Sequence, residues 1–280
     1  MSVITHLYKR VQSQPYWLAS LVVTALLMAI RQKGGLHSIE LIAFDRMTRL
    51  QADQGPDTRM LVVEVTEQDI RELPEWPISD QVMAKLLLEL QKHQPKAIGL
   101  DIYRDIPQGK GYEALAEVLR SPEIIAIESL GIGQDDDVPA PRAIAPNQVG
   151  FNDFVIDPDG ILRRGMLFAA LGDEQLYSFA LRLSLKYLEG ENQNFSVDRE
   201  ALTIGNTDFT PLEPSSGGYD NIDALSYQML LDYRSSSFVA RTVRLSEVLA
   251  GKVAPGWIEN KIVLIGVTAP SKKDFFYTPY

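Results

Sequence analysis

Apolar positions run along this chain in three patterns. The first is one long uncharged stretch, PYWLASLVVTALLMAI from Pro15 to Ile30, in which Ser20 and Thr24 are the only strongly polar residues. The second is helical spacing. In HSIELIAFDRMTRL, residues Ile39, Ile42, Ala43, Met47 and Leu50 recur every three to four positions and predict a helix over His37–Leu50, capped by Ser38 and set off by Gly34-Gly35. Val82, Met83, Leu86, Leu87 and Leu90 predict a second helix, from a Ser79 cap to about His93. The third pattern is the short apolar run bounded by turn residues. MLVVEVT (60–66), AIGLDIY (97–103), EIIAIES (123–129) and KIVLIGV (261–267) read as strands, with a further helix over Gly111–Arg120. Strands joined by crossovers of this length pair in parallel.

Turn chemistry organises the remainder. Asp157-Pro158-Asp159-Gly160 suits a type I turn, and predicts a hairpin between Val149–Ile156 and Ile161–Ala170. Gly205-Asn206 predicts a second hairpin between Ala201–Ile204 and Asp208–Leu212, Leu176–Leu188 an apolar helix, Met229–Tyr233 a short strand and Leu245–Ala250 a helix. The stretch 131–148, with its Asp135-Asp136-Asp137 run, reads as a loop; it lacks the alternate spacing of a calcium site and is taken as solvated charge. The expected fold class is therefore α/β: a parallel βαβ core elaborated with antiparallel hairpins, preceded by one N-terminal transmembrane helix.

Charge sharpens the picture at the front. Residues 1–35 hold Lys9, Arg10, Arg31 and Lys33 and no acid, whereas the whole chain carries 27 basic and 37 acidic residues, net −10. An uncharged run of about sixteen residues is short of the ~20 that span a bilayer core, and helical continuation through Gln12–Gln14 would make up the difference. A signal peptide and a buried core helix are the competing readings. Arg31-Gln32-Lys33 in place of a small-residue cleavage site favours the anchor. Basic residues lie on both sides of the run, so the positive-inside count does not orient it.

Composition removes several kinds of function. Net acidity argues against nucleic acid as a partner. With no cysteine there is no disulfide, thiolate nucleophile or iron–sulfur ligation, and three histidines leave little for a metal centre, so no cofactor is expected. Phosphate-loop, nucleophile-elbow and zinc-protease motifs are absent from the sequence. Open α/β sheets bind ligands beyond the carboxyl ends of their strands. That rule selects Thr66, Glu67 and Asp69 after the first strand, Asp101 and Tyr103 at the second, and Thr268 and Asp274 after the last. Arg163 and Arg164, adjacent on a predicted strand, should face opposite ways, one pairing inward with a carboxylate and the other solvated; an anion-binding role is the alternative. Asp101 is expected to be a structural carboxylate with buried partners, with an acid/base pair of Asp101 and Glu67 or Asp69 as the catalytic alternative.

In order along the chain, ELIAFDRMTRL, LVVEVTEQDI, WPIS, LLLELQKHQPKAIGLDIY, VGFNDFVIDPDGILRRGMLFA, MLLDYR, LSEVLAGK and KIVLIGVTAPSKKDFFYTP resemble the second type of CHASE domain, the cyclase/histidine-kinase-associated sensory extracellular domain of bacterial transmembrane receptors. The chain departs from the family where Thr66 replaces the usual Asp after the first strand, and where Ser79-Asp80 replaces a basic residue after the Trp-Pro element. The resemblance implies residues 1–35 as cytoplasmic tail and anchor, and residues 36–280 as a non-catalytic sensory domain outside the inner membrane, cut short at its C-terminal end. Its partners would be the membrane and an unknown small-molecule or protein signal, with a homodimer allowed. Its output would be a histidine kinase, nucleotide cyclase or serine/threonine kinase. A membrane-anchored interaction module is the rival reading, and an anchored hydrolase using Asp101 a further one.

Overall fold

The computed structural model describes residues 15–73, 75–131, 137–171, 174–191, 194–197, 202–216, 219, 222, 226–235, 238–272 and 275–280. The Asp135-Asp136 pair and Asp274 lie outside these residues. The chain forms two compact units: the described parts of Met1–Met47 with Leu212–Ala224, and of Thr48–Pro211 with Leu225–Tyr280.

The first unit contains helix α1 (Pro15–Gln32) and most of helix α2 (His37–Leu50). The turn between them is closed by the Gly35 amide on the Ile30 carbonyl at 2.9 Å, and Gly34 takes the left-handed φ of 72° that glycine accepts without strain. Arg31 Nε donates to Glu40 across the turn at 2.6 Å. All the large apolar side chains of α1 are exposed, Tyr16 and Leu21 at 70% and Met28 at 55%, so α1 is not a core helix of this chain. Among the described residues no helix is long and apolar enough to cross a membrane. Helix α2 forms where expected but buries the opposite face. Leu41, Asp45 and Thr48 are buried, while Ile39, Ile42, Ala43, Met47 and Leu50 are exposed. Two of the three buried residues are polar, so hydrophobic periodicity pointed away from the buried side.

The second unit is a mixed α/β structure. Its strands are β1 (Asp57–Val65), β2 (Ala97–Asp101), β3 (Ile124–Glu128), β4 (Val149–Phe151), β5 (Arg164–Leu171), β6 (Glu174–Tyr177), β7 (Phe195–Val197), β8 (Leu202–Ile204), β9 (Thr207–Phe209), β10 (Tyr227–Leu230), β11 (Ala240–Arg244) and β12 (Ile262–Val267). Its helices, after the end of α2, are α3 (Glu67–Glu72), α4 (Asp80–Gln91), α5 (Tyr112–Leu119), α6 (Phe179–Leu188) and α7 (Leu245–Leu249). Six strands make one sheet in the order β11-β1-β12-β2-β3-β4, every pair parallel. The apolar runs alternate across it. Leu61, Val63, Val65, Ile98, Leu100, Ile124, Val263 and Ile265 meet Met83, Leu86, Leu87 and Leu90 of α4, Leu115 and Leu119 of α5 and Val248 of α7 on one face. Ala97, Ile125, Ile262 and Leu264 meet Phe179 and Leu183 of α6 on the other. A sheet covered on both faces needs apolar residues at consecutive positions, which is why these strands read as continuous runs.

Three expectations are corrected. The turn at Asp157–Gly160 forms, with the Gly160 amide on the Asp157 carbonyl at 2.8 Å, but it does not join a hairpin. β4 pairs in parallel with β3, while β5 pairs antiparallel with β6 and β10 in a separate three-stranded sheet. Leu176 and Tyr177 belong to strand β6 and not to the following helix, because Ser178 caps that helix, its Oγ accepting the Leu181 amide at 3.2 Å. Strand β11, with the polar sequence ARTVR, has no counterpart among the expected elements. The hairpin at Gly205-Asn206 does form, as β8–β9, extended by β7.

Candidate functional site

The residues selected at the strand ends separate into groups. At the end of β1, Thr66 caps α3. Its amide and hydroxyl both reach Asp69 Oδ2, at 2.9 and 2.5 Å, and its Oγ1 accepts the Asp69 amide at 3.2 Å. The other Asp69 oxygen accepts the Ser246 amide at the start of α7, at 3.1 Å. Burial pushes the Asp69 carboxyl up, but the hydrogen bonds from Thr66 and Ser246 outweigh it and hold it below the ordinary carboxylate range. Thr66 and Asp69 thus tie two helix starts to one strand end. Glu67, half-buried at the start of α3, has its carboxyl pKa lowered by a hydrogen bond from Ser271 and has Arg71 at 3.6 Å. Thr268 is exposed, and its amide donates to the Val65 carbonyl at 3.1 Å.

Asp101 and Tyr103 do come together. Tyr103 donates to Asn152 Oδ1 at 2.8 Å, and Asn152 Nδ2 donates to Asp101 Oδ1 at 3.4 Å. Asp101 is exposed, which corrects the expectation of buried partners: as the last residue of β2 it clears the rim of the sheet. Next to it, Asp153 accepts from Ser129 Oγ at 3.2 Å and the Leu130 amide at 2.8 Å. Burial raises both the Tyr103 hydroxyl and the Glu128 carboxyl, the latter helped by Asp153 and opposed by Arg182. Among the described residues no group of carboxylates and histidines is placed to hold a metal ion.

Arg163 and Arg164 lie elsewhere, and neither is solvated as one was expected to be: they are 0% and 3% exposed. Both pair with Asp157, Arg163 through Nη1 at 2.9 Å and Arg164 through Nε at 2.7 Å. Arg163 also binds Asp159 at 2.7 Å, and Arg164 donates to Gln228 at 2.8 Å. Alternation of side chains does not apply because Arg163 precedes the first residue of β5, where the turn carboxylates fold over both guanidinium groups.

The most unusual polar grouping was not among the selected residues. Asp80, the first residue of α4, and Arg104, three residues beyond β2, are both buried and sit 3.8 Å apart. Asp80 Oδ2 accepts the Gln108 amide at 3.1 Å, but Asp80 Oδ1 and all three guanidinium nitrogens of Arg104 make no hydrogen bond. They line a cavity of about 190 Å³ whose other walls include Tyr112, Leu115, Ala116 and Arg142. Burial lowers the Arg104 pKa, against the opposing pull of Asp80. The departure of Asp80 from the family pattern was a sequence signal for this place; its partner 24 positions away became visible only through the fold. A larger cleft of about 500 Å³ lies at the opposite ends of the strands, between Met60, Ile262, Tyr187 and Phe209.

No curated protein and no solved structure matches this chain. The CHASE2 domain family model matches residues 22–280, essentially the whole sequence. The ordered motifs, the parallel core that they build and this match agree, and the chain belongs to the CHASE2 domain family of sensory extracellular domains.

Proposed function

We propose that this chain is the signal-input domain of a bacterial transmembrane receptor, held on the outer side of the inner membrane and without chemistry of its own. Membership of the CHASE2 family along residues 22–280 is the observation that carries this reading. Helix α1 supports it. The helix is uncharged from Pro15 to Ile30, exposes apolar side chains all round and has Lys9, Arg10, Arg31 and Lys33 about it. Spanning requires residues before Pro15 to contribute as well. The carboxylates favour binding over catalysis. Both oxygens of Asp69 accept hydrogen bonds, which makes it a weak base, and Asp101 stands on β2, with β12 between it and the strand that leads to Glu67 and Asp69. Signalling would follow from ligand preference for one of two conformations, passed on to a kinase or cyclase output module.

The absence of native cysteine permits a direct test. Glu259→Cys places the chain's single thiol at an exposed position. In cells with a permeabilised outer barrier it should react with a maleimide that does not cross the inner membrane. Labelling only after inner-membrane lysis would place the domain in the cytoplasm and overturn the reading.

A further inference from the structure

A guanidinium carries five N–H donors and does not shed its charge at ordinary pH. A buried one without acceptors is costly, so such groups in proteins are paired or hold a ligand. Arg104 is buried, and its Nε, Nη1 and Nη2 all lack acceptors. Asp80 does not answer this demand. Its Oδ2 is engaged by Gln108 and its Oδ1 stands 3.8 Å from Nη1; were Oδ1 to close that gap, Nε and Nη2 would remain unsatisfied. The grouping therefore has a surplus of donors over acceptors, and it borders a cavity. Asp80 begins α4, the second of the two helices between β1 and β2, and Arg104 and Tyr112 follow β2, so the cavity lies beyond the carboxyl end of β2, where open α/β sheets receive ligands.

We infer that this cavity is the domain's ligand site and takes a small organic carboxylate, its oxygens on Arg104 and its short carbon body against Leu115, Ala116 and Leu119. A planar two-oxygen acceptor matches the fork of a guanidinium better than a halide does. The size is bounded. A dry cavity of about 150 Å³ admits benzene, so about 190 Å³ admits a carboxylate whose carbon body is no larger than a benzene ring. The inference deepens the sensory reading by naming what is sensed.

Calorimetric titration and thermal melting of the full chain with sodium propionate, isobutyrate or benzoate test it, against sodium chloride at matched ionic strength and propionamide as the uncharged isostere. At least one carboxylate should bind with a dissociation constant below about 10 mM and raise the melting temperature, and propionamide should not. Arg104→Gln should weaken binding at least about tenfold. Ala116→Leu, which fills the cavity and keeps Arg104, should do the same with an unchanged circular dichroism spectrum, and it stands as the deciding variant if Arg104→Gln does not fold. Failure of all three carboxylates to bind the folded full chain, or binding undiminished in Ala116→Leu, would overturn the assignment. Neither outcome bears on the maleimide result, so the site and the membrane topology stand or fall separately.

Discussion

Two buried arginine–aspartate groupings in this chain have opposite hydrogen-bond balances. Asp157 gives one oxygen to each of Arg163 and Arg164, and Asp159 and Gln228 complete the set. Arg104 has Asp80 near it and no hydrogen bond. The first arrangement is structural: Asp157→Ala would leave two buried guanidinium groups short of an acceptor and should cost about 3–5 kcal/mol. Asp101→Ala, at an exposed rim position, should stay within about 0.5 kcal/mol. Urea unfolding midpoints check both, and equal midpoints would show that Asp157 is not the keystone of the pair. The structural set was partly legible, since D-P-D-G followed by I-L-R-R places two carboxylates within seven residues of two arginines. What local rules missed was that a turn can fold over both arginines at once, so that neither needs water.

At the scale of elements, glycine sets how closely α6 packs on the sheet. A Cβ on Gly150 of β4 would lie 2.5 Å from the Phe179 Cα and 2.7 Å from its amide nitrogen, both backbone atoms. A Cβ on Gly99 of β2 would meet side-chain ends instead, the Phe179 ring at 2.7 Å and Leu183 at 2.9 Å. Side chains can shift and a helix backbone cannot without moving the helix. Gly99→Ala should therefore cost about 1–3 kcal/mol, and Gly150→Ala should cost more. Thermal melts rank the two variants, and the reverse order would mean that α6 is free to slide. The strands of the central sheet were legible because both of their faces are covered and their apolar runs are unbroken. β11 was not, because it is an edge strand with one neighbour and its ARTVR sequence carries little apolar signal.

At the scale of the whole molecule, the chain leaves the large sheet at β4, builds two small antiparallel sheets, and re-enters at β11 and β12. β12 inserts between β1 and β2. The re-entry is clasped at Asp57, whose amide donates to the Val239 carbonyl at 2.8 Å and whose carboxylate meets Arg59 at 2.5 Å and Arg234 at 3.7 Å. The hydrogen bonds from Arg59, aided by Arg234 and outweighing burial, lower the Asp57 pKa from 3.8 to about 2. A carboxyl that titrates lower in the folded state stabilises the fold above its unfolded pKa, and this stabilisation disappears as pH falls through the folded value. The clasp should be worth about 1 kcal/mol near neutrality, less than the full shift implies because Arg59 is largely exposed. Asp57→Asn should thus be less stable than the parent at pH 7, and the two should converge between pH 4 and 2 in acid denaturation curves. A difference that persisted at pH 2 would argue against the charge as its origin.

Hydrophobic period and turn residues, which act over a few neighbouring positions, determined the existence of the central strands, of α2, α4 and α5, and of the β8–β9 hairpin. The ordered motifs determined the family. Which face of α2 is buried, the separation of β4 from β5, the insertion of β12 and the meeting of Asp80 with Arg104 were decided only in three dimensions. Each depends on which distant segment supplies the missing partner, and that is a property of strand order and not of local spacing.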